Sequence, residues 1–394
     1  RQLSKDEILE RYLNNVYLGS GAYGIADAAW VYFTKTPKEL TLEEVALIAG
    51  LAPAPSLFSP LVNPELAIER RSIVLKKMLK QGYIKEDQFL KAFKSPLHIK
   101  PAIPKYTNSS APFFTSWVNQ KLPEILTPEQ IEIGGLKIRT SLNLAWQSNA
   151  QKIIQEQRPK DLQGALVSIQ PSSGLVRVLV GGKNFEATQF NRVTQALRSP
   201  GSTFKIFPYA AAISEGFNPE DQFLDTPRCW DNYCPKNFED KYIGEVSLSN
   251  AFKDSLNTVA VELLDLVGFE KVISTANKLG VGNVHPLGEY YSLAIGAYEQ
   301  TVLDMTSAYA GLTNRGLYIK PTPLEEIRGP EDTVLWSYKT HHPKGVQAIN
   351  SDVADTMNSM LQEVVNSGTG KVAFMGDRPV AGKTGTSEGG RDLW

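Results

Sequence analysis

Three short stretches of this chain carry side chains suited to acyl transfer. In the first, Arg198-Ser199-Pro200-Gly201-Ser202-Thr203-Phe204-Lys205, a serine follows a Pro-Gly break and a lysine stands three positions further on. If Ser202 opens a helix, residues i and i+3 share a face, so the lysine amine reaches the serine hydroxyl. A hydroxyl is a poor nucleophile until a base takes its proton, and a lysine kept neutral by burial and nearby charge can be that base. Alone, the pattern reads more simply as an N-cap serine followed by a surface lysine. The second stretch, Ser255-Leu256-Asn257, and the third, Lys383-Thr384-Gly385-Thr386-Ser387, are equally ordinary when taken singly, as a turn or cap and as a strand end.

Together they supply complementary parts. If the fold brings Ser255 and Lys383 beside it, Lys205 should titrate low enough to accept the Ser202 proton, because neighbouring positive charge and burial both disfavour its charged form. Ser255 can pass that proton to a leaving amine, since a hydroxyl donates and accepts at once. Asn257 offers an amide to orient Lys205 and a peptide backbone. On a strand Thr384 and Thr386 point the same way, so their hydroxyls can receive a carboxylate while Lys383 adds positive potential. Gly385 leaves room where that strand must lie against its neighbour.

The elements that must position these groups follow from the rest of the chain. Its 394 residues suggest two or three domains, and 42% hydrophobic with 21% charged residues is a globular composition with sizeable cores. A net charge of -1 gives no general reason to expect a nucleic-acid partner. No run of about 18 apolar residues marks a membrane span. The ends, Arg1-Gln2-Leu3 and Leu393-Trp394, read as those of a fragment. Cys229 and Cys234 flank Trp-Asp-Asn-Tyr, where a disulfide and two free thiols are both open readings. No histidine lies near them, so zinc is not expected, and His98, His285, His341 and His342 sit in no nucleophile motif.

Residues 1 to about 100 read as helical. Ser4-Lys5-Asp6-Glu7 and Thr41-Leu42-Glu43-Glu44 are capping boxes ahead of apolar residues at helical spacing, and Pro53 to Pro64 is a loop before a further helix. From 96 to 150, Pro96, Pro101, Pro104 and the cluster Thr107-Asn108-Ser109-Ser110 mark a connector. Within it Thr127-Pro128-Glu129-Gln130 starts a helix, Gly135 to Leu142 alternates as a strand, and Asn143 to Ile154 is helical. Then Gly164 to Ile169 and Leu175 to Val180 form a hairpin about Pro171-Ser172-Ser173-Gly174, two strands that would set Ser202 at a sheet edge. Helical stretches follow at Val246–Leu264, Ala294–Leu312 and Ser351–Val365, the last ended by Gly368-Thr369-Gly370.

The segments Lys5-x-x-Ile8-Leu9-Glu10-x-Tyr12-Leu13-Asn14, Tyr17-x-Gly19-x-Gly21-x-x-Gly24-Ile25, Tyr32-Phe33-x-Lys35, Leu40-Thr41-x-x-Glu44 and Arg70-Arg71-x-x-Val74-Leu75 together resemble the C-terminal part of the peptidoglycan glycosyltransferase domain of class A penicillin-binding proteins. The resemblance puts that domain's catalytic glutamates before Arg1, and Glu10 reads as a helix-surface residue. Arg70 and Arg71 are open to two readings, contact with the pyrophosphate of a lipid-linked sugar donor or salt-bridged surface arginines. The three acyl-transfer stretches, in this order, resemble the motif set shared by penicillin-binding proteins and serine β-lactamases.

The resemblance implies a multidomain fold: an all-α lysozyme-like glycosyltransferase remnant (1–96), a linker (97–160), and an α/β (α+β) β-lactamase/transpeptidase-like domain (161–394) lacking its C-terminal end. It implies serine D,D-transpeptidase activity in peptidoglycan synthesis. Ser202, Lys205, Ser255, Asn257 and Lys383 would be catalytic, and Thr384, Gly385 and Thr386 would bind substrate. The amides of Ser202 and Thr386 would form the oxyanion hole. Its implied partners are stem peptides ending in D-Ala-D-Ala, β-lactam antibiotics and, for the full-length protein, lipid II and a membrane reached through an N-terminal helix. The catalytic domains would stand on the outer face of the membrane. No cofactor or metal is implied for the transpeptidase, and a divalent cation for the glycosyltransferase is left open. As given, the chain would lack glycosyl transfer, miss one edge of its central sheet and fold poorly.

Two other classes are weighed against this. A class A β-lactamase needs a Glu-x-x-Leu-Asn segment after the Ser-x-Asn motif, whereas here Glu10-x-x-Leu13-Asn14 precedes Ser202 and none lies between Asn257 and Lys383. A penicillin-sensing domain would have no use for the glycosyltransferase segments.

Overall fold

Reciprocal caps begin the helical half of the chain. The computed structural model describes residues 4–102, 104, 109–133, 136–156, 162–329 and 332–394; the readings that fell on Arg1, Thr107, Asn108 and Gly135 lie outside the described residues. Glu7 N donates to Ser4 Oγ at 3.2 Å while Ser4 N donates to Glu7 Oε2 at 2.7 Å, starting α1 (Lys5–Asn15). A turn leads to α2 (Gly24–Phe33), whose Ala28, Ala29 and Tyr32 are wholly buried. Gly24 has φ +76°, and a Cβ there would stand 2.5 Å from the Asn14 carbonyl oxygen, so no other residue fits the turn.

Thr41 N donates to Glu44 Oε2 at 2.9 Å at the head of α3 (Leu42–Leu51). Then come α4 (Pro64–Lys80), α5 (Glu86–Lys94), α6 (Pro112–Lys121) and α7 (Pro128–Ile133), the last capped by Thr127 and Gln130. Glu10 is exposed on α1, as read. These helices belong to one compact unit, Arg1–Gly134 with Ser148–Gly164 and Val180–Asn191. No helix among the described residues is long and apolar enough to cross a membrane.

The second unit comprises Gly135–Gln147, Ala165–Leu179 and Arg192–Trp394. In chain order its elements begin with β1 (Lys137–Thr140), the head of α8 (Leu144–Glu156), β2 (Leu166–Gln170), β3 (Leu175–Val180) and α9 (Ile206–Ser214). Next are β4 (Gln222–Asp225), β5 (Gly244–Ser247), α10 (Leu248–Lys253), α11 (Asn257–Val267), α12 (Phe269–Lys278) and α13 (Val302–Thr313). Last are β6 (Leu317–Tyr318), β7 (Leu324–Arg328), β8 (Val334–Ser337), α14 (Tyr338–His341), β9 (Val346–Gln347) and α15 (Ser351–Asn366). Described strands form a β1-β7-β8 sheet and the pairs β2-β3, β4-β5 and β6-β9. The helical first unit and the mixed second unit are the expected fold class.

The core centres on α9. From Ile206 to Ala212 every residue is buried, so this helix is apolar all round and surrounded by structure, with Phe204, Phe252, Val259, Leu263 and Met357 in the same cluster. Burying side chains such as Ile206 and Phe207 contributes about 1.5–3 kcal/mol each. That burial fixes the residues just before α9, Ser202 and Lys205 among them.

Two local expectations are corrected. Ser202 does not open an α-helix; Gly201–Lys205 is a 3-10 turn that leads into α9. Nor do β2 and β3 deliver Ser202 to a sheet edge. The residues after β3 belong in part to the first unit, and the Ser202 turn packs instead beside the 3-10 segment Tyr291–Ile295 and α13, where Tyr309 Oη donates to Thr203 O at 2.9 Å.

Candidate active site

In a 3-10 turn residues i and i+3 eclipse, so the Gly201–Lys205 turn puts Ser202 and Lys205 on one edge more directly than an α-helix would. No side chain caps this turn, which removes the N-cap reading of Ser202. Lys205 is 0% exposed, which removes the surface-lysine reading. Ser202 itself is half-buried.

Lys205 points into the end of α10. Its Nζ donates to Ser255 O at 2.6 Å and Asn257 Oδ1 at 2.6 Å, and lies 3.3 Å from Ser255 Oγ. Ser255 stands where α10 stops. Ser255 N donates to Phe252 O and Leu256 N to Ala251 O, the paired bonds of a Schellman ending, whose left-handed position normally holds glycine. Ser255 occupies it with φ +60°. A non-glycine residue in that region costs on the order of 1–3 kcal/mol, a strain offset here by the bonds around it. What the strain secures is the hydroxyl: Lys383 Nζ donates to Ser255 Oγ at 2.7 Å, so two lysines converge on one serine oxygen.

Burial drives the Lys205 pKa well below its ordinary value, the charge of Lys383 pushes it further down, and buried Asp225 opposes them. Burial also lowers Lys383, to about 7. A neutral amine at Lys205 is thus favoured beside a residue that stays charged only on the acid side of neutrality.

The Lys383 stretch is extended, but it is joined to its neighbour by one isolated bridge, Thr386 to Leu393, rather than by a ladder strand. Gly385 N donates to Trp394 O at 3.0 Å and Trp394 N to Gly385 O at 2.9 Å, while Ser387 N donates to Asp392 O at 3.0 Å, closing a hairpin. Thr384 and Thr386 are exposed and Gly385 between them is buried, so the two threonines share the open face. Close approach explains the glycine. A Cβ on Gly385 would stand 2.5 Å from Pro200 O, and one on Gly201, which has φ +53°, would stand 2.3 Å from Thr386 O. The Thr386 backbone therefore lies against the residue preceding Ser202.

The structure gathers Lys205, Ser255, Asn257 and Lys383 into one hydrogen-bonded group, and seats the Gly385-Thr386 backbone against the turn that carries Ser202. Sequence reasoning missed Thr369, whose Oγ1 is 2.8 Å from Thr384 Oγ1; it was noted only as part of a helix stop. It also missed Asp225 and Asn237, which carry no motif signal. Cys229 and Cys234 are joined as a disulfide.

In the helical unit, Arg71 is 3% exposed and its guanidinium donates to Phe93 O at 3.5 Å. Arg70 Nε donates to Gly50 O at 3.2 Å, and the guanidinium lies over the Phe58 ring at 4.9 Å. Both are packing groups between helices, and Arg71 is neither a surface residue nor turned toward solvent where a pyrophosphate would meet it. Among the described residues no three His, Cys, Asp or Glu side chains converge.

A helical unit precedes a unit that carries Ser-x-x-Lys, Ser-x-Asn and Lys-Thr-Gly in order, and each half has its own family match. Residues 164–392 match the family described as Penicillin binding protein transpeptidase domain, and residues 1–79 match the Transglycosylase family. The chain belongs to the penicillin-binding proteins, in the class A arrangement that joins both domains in one polypeptide. It is similar to Penicillin-binding protein 1A of Aquifex aeolicus (33% identical, over 100% of this chain and 66% of that protein). It is also similar to Penicillin-binding protein 2D of Bacillus subtilis (34% identical, over 99% and 58%). Among solved structures, PonA1 of Mycobacterium tuberculosis in complex with penicillin V aligns with a TM-score of 0.63 at 27% identity, over 71% of this chain and 77% of that one. The chain thus spans between 58% and 66% of the length of these two curated relatives.

Proposed function

We propose that this chain carries the acyl-transfer centre of a peptidoglycan synthase, a serine D,D-transpeptidase that cross-links stem peptides. The observation that carries the reading is the convergence of Lys205 and Lys383 on Ser255 Oγ, with Lys205 fully buried three residues after Ser202.

In this reading, Ser202 Oγ attacks the carbonyl between the two terminal D-Ala residues while neutral Lys205 takes the hydroxyl proton. The C–N bond then breaks. The proton passes through Ser255 to the departing D-Ala amine, leaving the peptide acylated on Ser202. An acceptor amine from a second strand attacks this ester, gives its proton back along the same route, and releases Ser202. Thr384, Thr386 and Lys383 receive the terminal carboxylate, and the amides of Ser202 and Thr386 stabilise the oxyanion. A β-lactam opens its ring on Ser202 by the first half of the same sequence. That PonA1, a related chain, is seen in complex with penicillin V supports β-lactam binding here.

The Transglycosylase match of residues 1–79 supports a glycan-polymerising role for the first unit's domain, acting on lipid II. We assign the full-length protein to the outer face of the cell membrane, anchored by an N-terminal helix.

Labelling the full-length protein with a fluorescent penicillin tests the nucleophile. Label should appear on the wild type and vanish in Ser202→Ala. An unlabelled wild type, or equal labelling of the two, overturns the assignment.

A further inference from the structure

The base Lys205 is only as well placed as Asn257, and Asn257 is held from outside its own helix. The first amides of a helix have no partner within it and are usually met by the side chain just before. Leu256 fills that place at the start of α11 and offers none. The cap arrives from 20 residues upstream: Asn257 N donates to Asn237 Oδ1 at 2.7 Å, and Thr258 N to the same oxygen at 3.4 Å.

Asn237, 6% exposed, is itself fixed at its other end, where Nδ2 donates to Asp225 Oδ1 at 2.6 Å and to Lys241 O at 3.1 Å. Asp225 is fully buried and also accepts from Ile243 N at 2.9 Å and from Thr258 Oγ1. Next to Asn237, Lys236 O accepts from Asn257 Nδ2 at 2.6 Å. Two consecutive residues thus grip Asn257 by its backbone and by its side chain. A carbonyl only accepts and a lysine amine on this path donates, so one orientation of the Asn257 amide satisfies both, with Oδ1 turned to Lys205 Nζ at 2.6 Å.

We propose that Asn237 is a positioning residue for acyl transfer, a cap supplied from 20 residues upstream in the same chain that sets Asn257 and through it the base Lys205. The proposal rests on the acyl-transfer reading above. Loss of the Asn237 amide leaves α11 uncapped and Asn257 free to move, and a displacement of about 1 Å in a reacting constellation can cost about 100-fold.

The test resolves penicillin acylation of the full-length protein into non-covalent binding and the acylation rate constant, normalised to titrated Ser202. Asn237→Ala should lower the rate constant about 10- to 100-fold with binding changed less than about twofold. In Asn237→Ala/Asn257→Ala the loss should not exceed that of Asn257→Ala alone, because both act on one path. Asn237→Ser keeps a donor for Asp225 and serves where the alanine variant does not fold; the same non-additivity is expected. Wild-type rate constants in either folded variant, or losses that multiply in the double variant, overturn the proposal while leaving Ser202 as nucleophile. A wild type that takes no penicillin overturns the acyl-transfer reading, and this proposal with it.

Discussion

Arg71 in the helical unit and Lys205 in the second unit are both cations withdrawn from water, 3% and 0% exposed, and they do opposite things. Arg71 has one long bond to a carbonyl, and its Nε has no partner among the described residues. A guanidinium cannot give up its proton, so burying it only commits it to a place between helices. Lys205 has two acceptors at 2.6 Å and a second lysine beside its third contact. An amine can give up its proton, so the same withdrawal from water favours the neutral form that the proposed role as base requires. Burial of a cation is therefore no sign of chemistry. The sign is burial of a group able to lose its charge, next to another charge that urges it to.

Lys205→Met should break that contrast most. Removing the base is expected to slow penicillin acylation about 10²- to 10⁴-fold, and Lys205→Arg should rescue none of it, since arginine stays protonated. Recovery in the arginine variant, followed by rapid-quench labelling, would show that charge rather than basicity matters at this position.

Gly385→Ala tests the geometry that brings the segment proposed to bind the carboxylate up to the serine turn. A Cβ there meets Pro200 O at 2.5 Å, a backbone atom that cannot swing aside. Acylation should fall about 100-fold with a lower melting temperature; a wild-type rate would show that the two segments separate freely.

The Lys383 charge gives the pH dependence its sign. Its pKa is lowered to about 7, so its charge, and its pull on a carboxylate, is present below that pH and is lost as pH rises through it. Affinity for a carboxylate-bearing peptide should therefore weaken above about pH 7, while that for the corresponding neutral ester stays flat. In Lys383→Met the first dependence should disappear. Without its neighbour's charge Lys205 should also titrate higher, moving the acid limb of acylation toward higher pH. Unchanged profiles in the variant would remove Lys383 from this role.

The smallest effect is expected in the helical unit. Arg71→Met should leave penicillin acylation within about twofold of wild type and change stability by no more than about 2 kcal/mol, because the lost attraction to Glu43 is set against relief from burying a charge. A large loss of acylation would mean that Arg71 does more than pack.

The residues proposed for acyl transfer stand out in the sequence because that chemistry demands fixed types at short spacing, and four of them meet in the structure. Ser202 and Lys205 sit one turn apart, Ser255 and Asn257 straddle a helix junction, and Lys383 to Thr386 form one extended run. The caps at Ser4, Thr41 and Thr127 were legible for the same reason, since each is a local bond across three residues. What the sequence hid is reached through space. Asn237 meets Asn257 across 20 residues, and Thr369 meets Thr384 across 15. The 3-10 form of the Ser202 turn was missed because helical spacing alone does not separate it from an α-helix. The fate of Arg71 was missed because a charged residue on an amphipathic helix reads as exposed until a third helix covers it.

Around the Ser202 turn the backbone lies three layers deep with almost no side-chain filling. A Cβ on Gly296 would fall 2.3 Å from Gly201 O, one on Gly201 2.3 Å from Thr386 O, and one on Gly385 2.5 Å from Pro200 O. Such a wall cannot be thickened by mutation without pushing the nucleophile out of place. Shape changes that leave Ser202 in place are thus left to positions beyond this wall, such as exposed Thr369.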